Sequence, residues 1–169
     1  LSNGSLTYTL DNPNPSGTSA NDYFGISCAI SDTHAIVGAY GEEDSGGSTS
    51  GKAYIYTLSN GNLLHTLDNP NAYNTSQGDN FGETVGISDT YALVAAPSED
   101  DAQGGGRGKA YIFKISDGSL LATIDNPNTS SLYNPLGDKA VGITDTGNLF
   151  GALEISELLV NNGIQPIIG

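Results

Sequence analysis

Apolar and polar residues alternate along this chain in short runs, and the whole pattern repeats every 57 residues. Residues 24–31 alternate, whereas residues 34–40 form a near-continuous apolar run that is typical of a buried strand. Residues 52–58 and 63–67 complete a set of four short strands, and the same four runs return one period later. A period of this length predicts one supersecondary unit that is copied, with each copy burying its apolar face against the next.

The residues between these runs predict antiparallel hairpins. Ser-Asp-Thr separates the first two strands of each copy, at residues 31–33 and 88–90. Asn-Gly at residues 60–61 and Asp-Gly at residues 117–118 are strong hairpin signals, because both positions of such a turn need a positive φ. An Asp-Asn-Pro-Asn segment ends each fourth strand, since proline has no N–H to donate to a neighbouring strand. Four antiparallel strands per copy predict the blade of a β-propeller.

The repeat divides the chain into four parts. Residues 1–21 match the last strand of a preceding blade plus a joint, residues 22–78 form the first blade and residues 79–135 the second. Residues 136–169 form a partial, degenerate blade and a C-terminal tail, where the Phe-Gly pair of the other copies is lost. This predicts an all-β, propeller-type fold of about three blades that is incomplete as a closed ring, because closed propellers have at least about four. We therefore expect the ends to join another copy, in a homo-oligomer or larger assembly, or to continue into neighbouring repeats.

The charge of the chain narrows the range of partners. Nineteen acidic residues against five basic ones give a net charge of −14, which repels nucleic acid and anionic membranes. No apolar run approaches the ~20 residues that a membrane-spanning helix needs. The acidic excess suits a cation-rich extracellular setting or serves only solubility. The single cysteine, Cys28, aligns with Val85 and is expected to fill a core position rather than to act as a catalytic thiol.

The long connections between strands are all expected on one side of the blades, which we call the loop face. This follows from the antiparallel order, which places the tight turns on the opposite side. Tyr23 and Tyr40 lie near these loops, as do two acidic triplets: Glu42, Glu43 and Asp44, and Glu99, Asp100 and Asp101. Calcium prefers several oxygen ligands, so the triplets are candidates for weak calcium binding; the alternative is a solvated acidic loop. If the module binds a partner, we expect the loop face to bind it.

Other patterns do not support an enzyme or a bound cofactor. Residues 46–52 resemble a phosphate-binding loop, but alanine follows the lysine and a strand follows in place of a helix. His34 and His65 become Tyr91 and Ala122 in the next copy, so neither belongs to a repeated site. No carboxylate pair or Ser/His/Asp group stands out from the repeat.

Three recurring motifs carry a resemblance to a known family. They are the Phe-Gly pairs at residues 24–25 and 81–82, the small-residue segments at 38–40 and 95–97, and the Gly-Lys-Ala-Tyr-Ile strands at 51–55 and 108–112. Together they resemble FG-GAP repeats, which build the seven-bladed propeller of integrin α subunits and occur in many bacterial surface proteins. With its Asp-Asn-Pro-Asn joints, the chain is most similar to arrays in marine bacterial and bacteriophage surface proteins. The calcium loop that integrin-type blades carry between the first two strands is reduced here to Ser-Asp-Thr, which is too short to surround a cation.

The resemblance and the repeat together predict a non-enzymatic structural or adhesion module, extracellular or on a virion surface. Such a module would present its loop face to a protein or a glycan. One alternative is a purely structural spacer or assembly component of a fibre, tail or filament. The other is a propeller-based, glycan-active enzyme, which would need acidic or histidine side chains around a central pocket.

Overall fold

The computed structural model describes residues 4–13, 20–43, 49–70, 77–100, 105–127 and 136–137. The strands are β1 (Cys28–Ile30), β2 (His34–Ala39), β3 (Lys52–Thr57), β4 (Leu63–Asp68), β5 (Thr84–Ile87), β6 (Tyr91–Ala96), β7 (Lys109–Lys114) and β8 (Leu120–Asp125). They form two antiparallel sheets, in the orders β1-β2-β3-β4 and β5-β6-β7-β8, and we call these sheets the first and second blades. The predicted all-β fold of four-stranded units is confirmed. The described part of the chain contains no helix long and apolar enough to cross a membrane.

The two blades share one hydrogen-bonding register. Strand β2 pairs with β3 from His34↔Thr57 to Ala39↔Lys52, and β6 pairs with β7 at positions 57 residues further on. The pairing of the third and fourth strands shifts between Ile55 and Tyr56, and the second blade repeats this irregularity at the equivalent place. The repeat in sequence is therefore a repeat in backbone geometry as well.

The predicted turns form as their residues require. The Ser31 hydroxyl accepts a hydrogen bond from the backbone N–H of Thr33 at 3.3 Å, which closes the first turn. At the hairpin between β3 and β4, the Asn60 side-chain oxygen accepts from the N–H of Asn62 at 2.9 Å. Gly61 lies there at φ 72°, in the left-handed region that glycine enters without cost.

Glycine allows the two blades to pack with their backbones in close approach. Strand β5 of the second blade packs against β1 and β2 of the first. A Cβ atom on Gly38 would lie 1.9 Å from the carbonyl oxygen of Gly82, far inside any allowed contact. Gly82 is the glycine of the second Phe-Gly pair, and Gly38 begins the small-residue segment of the first blade. The two motifs therefore meet at the blade interface. Gly82 also needs to be glycine, because it lies at φ 91° and a Cβ atom on it would lie 2.2 Å from the carbonyl oxygen of Lys52.

The larger of two apolar core clusters among the described residues lies between and within the blades. Its buried members are Ile36, Ala53, Ile55, Leu67, Phe81, Val85, Ile87, Ala92, Val94, Ala96, Tyr111, Phe113 and Ile115. Phe81 is completely buried there and packs with its ring centroid 5.8 Å from that of Tyr111. A smaller cluster lies in the first blade around Val37, Ala39, Tyr54 and Tyr56.

One expectation for the first blade is wrong: Cys28, predicted to fill a core position, is exposed, although its counterpart Val85 is in the core. Phe24 is likewise only partly buried, whereas its counterpart Phe81 is completely buried. The reason is the same for both residues. Val85 and Phe81 of the second blade pack against the first blade, whereas among the described residues no sheet precedes the first blade to cover Cys28 and Phe24 in the same way.

The strand boundaries also differ from the sequence pattern. The first strand of each blade was expected from the Phe-Gly pair onward, but residues 24–27 form a turn in which the N–H of Ile26 donates to the carbonyl of Tyr23 at 3.0 Å. Residues 6–10, expected as a strand, pair with no strand in the described structure. Apart from residues 136–137, the degenerate third copy and the tail lie outside the described residues.

Candidate functional site

Two carboxylates are buried together where the Asp-Asn-Pro-Asn joint enters the first blade. Asp22 and Glu42 are 1 % and 0 % exposed. The amide nitrogen of Asn12, in the joint, donates to a carboxylate oxygen of Asp22 at 2.8 Å and to one of Glu42 at 3.4 Å. The buried Tyr54 hydroxyl, on β3, lies beside the Glu42 carboxyl. We call Asn12, Asp22, Glu42 and Tyr54 the first joint cluster.

The second blade repeats this arrangement 57 positions later, and we call it the second joint cluster (Asn69, Asp79, Glu99 and Tyr111). The Asn69 amide donates to Asp79 at 2.9 Å. The Tyr111 hydroxyl donates to the two carboxylate oxygens of Glu99, both at 2.5 Å. Glu99 and Tyr111 are 0 % and 1 % exposed, so this contact is sealed from solvent.

Burial and like charge control the protonation of these clusters. Burial, and then the neighbouring Asp22 carboxylate, raise the pKa of Glu42, although the hydrogen bond from Asn12 and the nearby Tyr54 hydroxyl oppose the shift. Burial also raises the pKa of Asp79, against the hydrogen bond from Asn69. The pKa of Tyr54 is raised as well, first by burial and then by Glu42, so its hydroxyl stays a donor. Hydrogen bonds from Asn12 and Asn69 thus fasten each joint to its blade, and the carboxyl and hydroxyl side chains of both clusters are buried.

Two buried lysines form ion pairs with the aspartates that begin the Asp-Asn-Pro-Asn segments. Lys52 donates to the carboxylate of Asp68, and Lys109 donates to that of Asp125 at 2.5 Å. The lysine side chains are 5 % and 2 % exposed, whereas those of the aspartates are largely exposed. These ion pairs bury two of the five basic residues, and the joint clusters bury four of the nineteen acidic ones, so the remaining charged residues keep a strong acidic excess.

The six residues predicted as metal ligands do not share one environment in the structure. Glu42 and Glu99 are completely buried in the joint clusters, not on the loop surface. Asp44 and Asp101 lie outside the described residues. The sequence did not reveal the burial of the two glutamates, because an acidic residue at the start of a polar loop is ordinarily solvated.

The remaining two predicted ligands are held by backbone pairing at the base of the loops. Glu43 forms an isolated antiparallel bridge with Thr49, and Asp100 forms one with Gly106. No group of three or more His, Cys, Asp or Glu side chains that could hold a metal occurs within the described ranges. Calcium binding by these loops stays a prediction.

An aromatic pair lies on the loop face of the first blade. The rings of Tyr23 and Tyr40 are stacked, with their centroids 4.8 Å apart and their planes 8° from parallel. Tyr23 is 51 % exposed and lies at φ 56°, in the left-handed region. Both tyrosines were expected near the loops, but the stacking of their rings was not predicted. The signal that could have found it is a paired departure from the repeat, since the second blade has Asn80 and Pro97 at these positions.

The two histidines make structural contacts. A ring nitrogen of His65, on β4, lies 2.8 Å from the carbonyl oxygen of Ile115 in the second blade. A ring nitrogen of His34 lies 2.7 Å from the hydroxyl oxygen of its neighbour Thr33. Neither ring lies beside a serine or cysteine nucleophile in these contacts.

The repeated Phe-Gly turns, the glycine contact between blades and the two joint clusters agree with a comparison against known families. The FG-GAP repeat family model matches residues 14–56 and 71–113, just over half of the chain. The chain belongs to the FG-GAP repeat family. No curated protein matches the chain at a significant level.

Proposed function

We propose that this FG-GAP chain is a non-enzymatic structural and adhesion module, extracellular or on a virion surface, which presents its loop face to a protein or glycan partner. Repeats of this family form β-propeller-like modules that are often involved in adhesion and typically occur in extracellular or surface proteins. The acidic excess of the chain suits such a setting.

One observation carries the proposal: the two blades keep the same internal framework but differ on the loop face. The kept pairs are Asn12 and Asn69, Asp22 and Asp79, Glu42 and Glu99, Lys52 and Lys109, and Tyr54 and Tyr111. Around the loop face the first blade has Tyr23, Ile26 and Tyr40, all exposed or partly exposed, where the second has the partly exposed Asn80 and Glu83 and the buried Pro97. A constant scaffold with variable loop-face residues is typical of repeat proteins that bind partners.

The buried carboxylates support a binding role over an enzymatic one. A glycan-active enzyme needs two carboxyl groups that reach the scissile bond. Here the paired carboxyl groups, Asp22 with Glu42 and Asp79 with Glu99, are all 5 % exposed or less and are engaged in the joints.

The test is binding of the immobilised chain to a glycan array and to a panel of intact cells. We expect saturable binding that substitutions on the loop face reduce, with Tyr40→Ser as the test variant. Asn60→Ala, in the tight turn on the opposite side, is the matched control and should leave binding unchanged. Absence of binding to every glycan and cell, or an equal loss in both variants, would contradict the proposal.

A second candidate function, a spacer or assembly component, is supported by the way residues 4–10 contact the first blade. The Tyr8 hydroxyl donates to the carbonyl of Ser59 at 2.9 Å, and its ring covers Gly61. His65 covers Gly118 in the same way, 57 positions later. Residues 4–10 thus occupy the place of a fourth strand from a preceding blade, which is how an array would continue. Ordered multimers that bind no ligand would favour this function.

A further inference from the structure

The first joint cluster contains a buried hydroxyl group that no protein group satisfies. The Tyr54 side chain is completely buried, and its hydroxyl has no hydrogen-bond partner among the described residues. Buried hydroxyl groups are ordinarily hydrogen-bonded to protein or to water, because leaving one unpaired is costly. Its charged neighbours include the carboxyl groups of Glu42 and Asp22. An ion or a water beside this hydroxyl would account for its burial.

Two buried carboxylates are held side by side next to this hydroxyl. The Asn12 amide nitrogen lies 2.8 Å from an oxygen of Asp22 and 3.4 Å from one of Glu42. The backbone fixes both acidic residues, since the N–H of Gly41 donates to the Asp22 carbonyl at 3.1 Å and that of Gly51 to the Glu42 carbonyl at 3.0 Å. The two negative groups are therefore kept in close approach by the fold.

The second joint cluster satisfies the equivalent tyrosine with its own residues. The Tyr111 hydroxyl donates to both carboxylate oxygens of Glu99, each at 2.5 Å. The strand around each tyrosine has the same sequence, Gly-Lys-Ala-Tyr-Ile, so the strand itself does not cause the difference. The second cluster thus uses its hydroxyl internally, whereas the first leaves the Tyr54 hydroxyl available to a ligand.

The charge of the first joint cluster favours a cation over a water. Asp22 and Glu42 are 1 % and 0 % exposed, and buried charges are ordinarily paired with an opposite charge. Lys52, two residues from Tyr54 in the sequence, pairs with Asp68 instead. A water would satisfy the hydroxyl but would leave two like charges together. A cation would satisfy both requirements at once.

We propose that Asn12, Asp22, Glu42 and Tyr54 bind a sodium ion. Once the Asn12 amide turns its oxygen toward the carboxylates, the four side chains offer about four to six oxygen atoms. Calcium takes about six to eight oxygens and magnesium retains several waters, so neither suits a cluster this enclosed. The ion and the proton of Glu42 compete for the same carboxylate. Bound there, the ion fastens the joint to the first blade, whatever the loop face binds.

The experiment is thermal unfolding of the full chain in sodium chloride and in choline chloride at equal concentration. Choline matches the ionic strength but is too large to enter the cluster. At about pH 8 we expect a Tm that is about 2–4 °C higher in sodium chloride. The difference should shrink at about pH 5, where the proton displaces the ion. Line broadening in sodium NMR measures the binding directly.

Four variants assign the response to the cluster. Tyr54→Phe should lose most of the sodium response and keep its stability in choline chloride, because the hydroxyl makes no hydrogen bond there. Tyr111→Phe is the matched control and should lose the same stability in both salts, because it breaks the bond to Glu99. Glu42→Gln should abolish the sodium response, whereas Glu43→Gln, outside the cluster, should keep it.

The other outcomes overturn the proposal. Equal Tm values in the two salts at about pH 8 would leave a proton, not an ion, between the carboxylates. A sodium response that persists in Glu42→Gln would show only general screening of the acidic surface. Equal losses for Tyr54→Phe in both salts would assign the hydroxyl to a buried water. A response to calcium chloride with none to sodium chloride would contradict the choice of a monovalent ion.

Discussion

At the scale of single residues, equivalent positions in the repeat differ in burial because their neighbours differ. Phe81 is enclosed by both blades and is completely buried, whereas Phe24 keeps the same aromatic partners within its blade but remains partly exposed. The ring-to-ring distance to the partner tyrosine is 5.8 Å in both blades. The difference between the two phenylalanines therefore comes from packing between blades, not within them.

Phe81→Ala should lower the free energy of unfolding by about 3–5 kcal/mol, as large aromatic truncations in a core do. Phe24→Ala is the matched variant and should cost clearly less, because part of its side chain is already in water. Denaturant unfolding of the two variants measures the difference. Equal losses would show that the blade interface contributes nothing to the burial of Phe81.

Glu42 gives a prediction for the pH dependence of stability. Its raised pKa means that the folded chain holds this proton more tightly than the unfolded chain. The associated stabilisation is complete below the ordinary glutamate pKa and is lost as the pH rises through the raised value. Glu42→Gln, which mimics the protonated form, should therefore gain stability relative to the parent as the pH rises through this window.

The comparison needs a control, because other carboxyl groups titrate in the same range. Hydrogen bonds from Ser31 and Thr33 lower the pKa of Asp89, which gives a contribution of the opposite sign. Glu43→Gln removes the same charge one residue away and leaves the joint cluster intact. A Glu42→Gln profile parallel to that of the parent, or to that of Glu43→Gln, would show that the joint holds no proton.

At the scale of elements, the contact between the Phe-Gly turn of the second blade and the small-residue segment of the first determines how closely the two blades pack. Gly38 meets Gly82 across the interface of the two described blades. Gly82 lies at φ 91°, and a Cβ atom on it would lie 2.2 Å from the carbonyl oxygen of Lys52 in the first blade. The two backbones therefore approach too closely for a side chain at either position.

Gly38→Ala should disrupt the blade interface, because the new methyl group would lie 1.9 Å from the Gly82 carbonyl oxygen. Overpacking of this kind costs about 1–3 kcal/mol or more. Ala95→Gly, at the equivalent position, is the control and should cost only about 0.5–1 kcal/mol, through chain entropy. Thermal unfolding of both variants checks the order, and a Gly38→Ala chain as stable as the parent would disprove the close approach.

The strands and turns could be predicted because the residues that determine them are neighbours in the sequence. The joint clusters could not be predicted, because their residues are far apart in the sequence. Alternating runs, Ser-Asp-Thr and Asn-Gly located the strands and turns within a few residues. The burial of Glu42 depends on Asn12, 30 positions earlier, folding over it. The stacking of Tyr23 on Tyr40 likewise depends on where two loops meet in space. A single sequence shows such residues only as polar or aromatic loop positions.

At the scale of the whole molecule, the repeated joint is the connection through which one blade follows another. The first and second joint clusters have the same members and the same spacing, so one geometry serves successive blades. Residues 4–10 take the place of the fourth strand of a preceding blade, and among the described residues they pair with no strand. A strand supplied by another copy would satisfy the backbone groups that this segment leaves open.

We therefore expect the 17.3 kDa chain to assemble head to tail, into a closed ring of two chains or into longer arrays, depending on the rotation at each joint. Light scattering over a range of concentrations should show masses at multiples of the chain mass. Deleting residues 1–10 should abolish assembly, because it removes both the strand equivalent and the Tyr8 contact on Gly61. His65→Ala weakens the comparable contact inside the chain and should leave assembly unchanged. A monomer at every concentration, or assembly that survives the deletion, would mean that residues 4–10 only cap the first blade of their own chain.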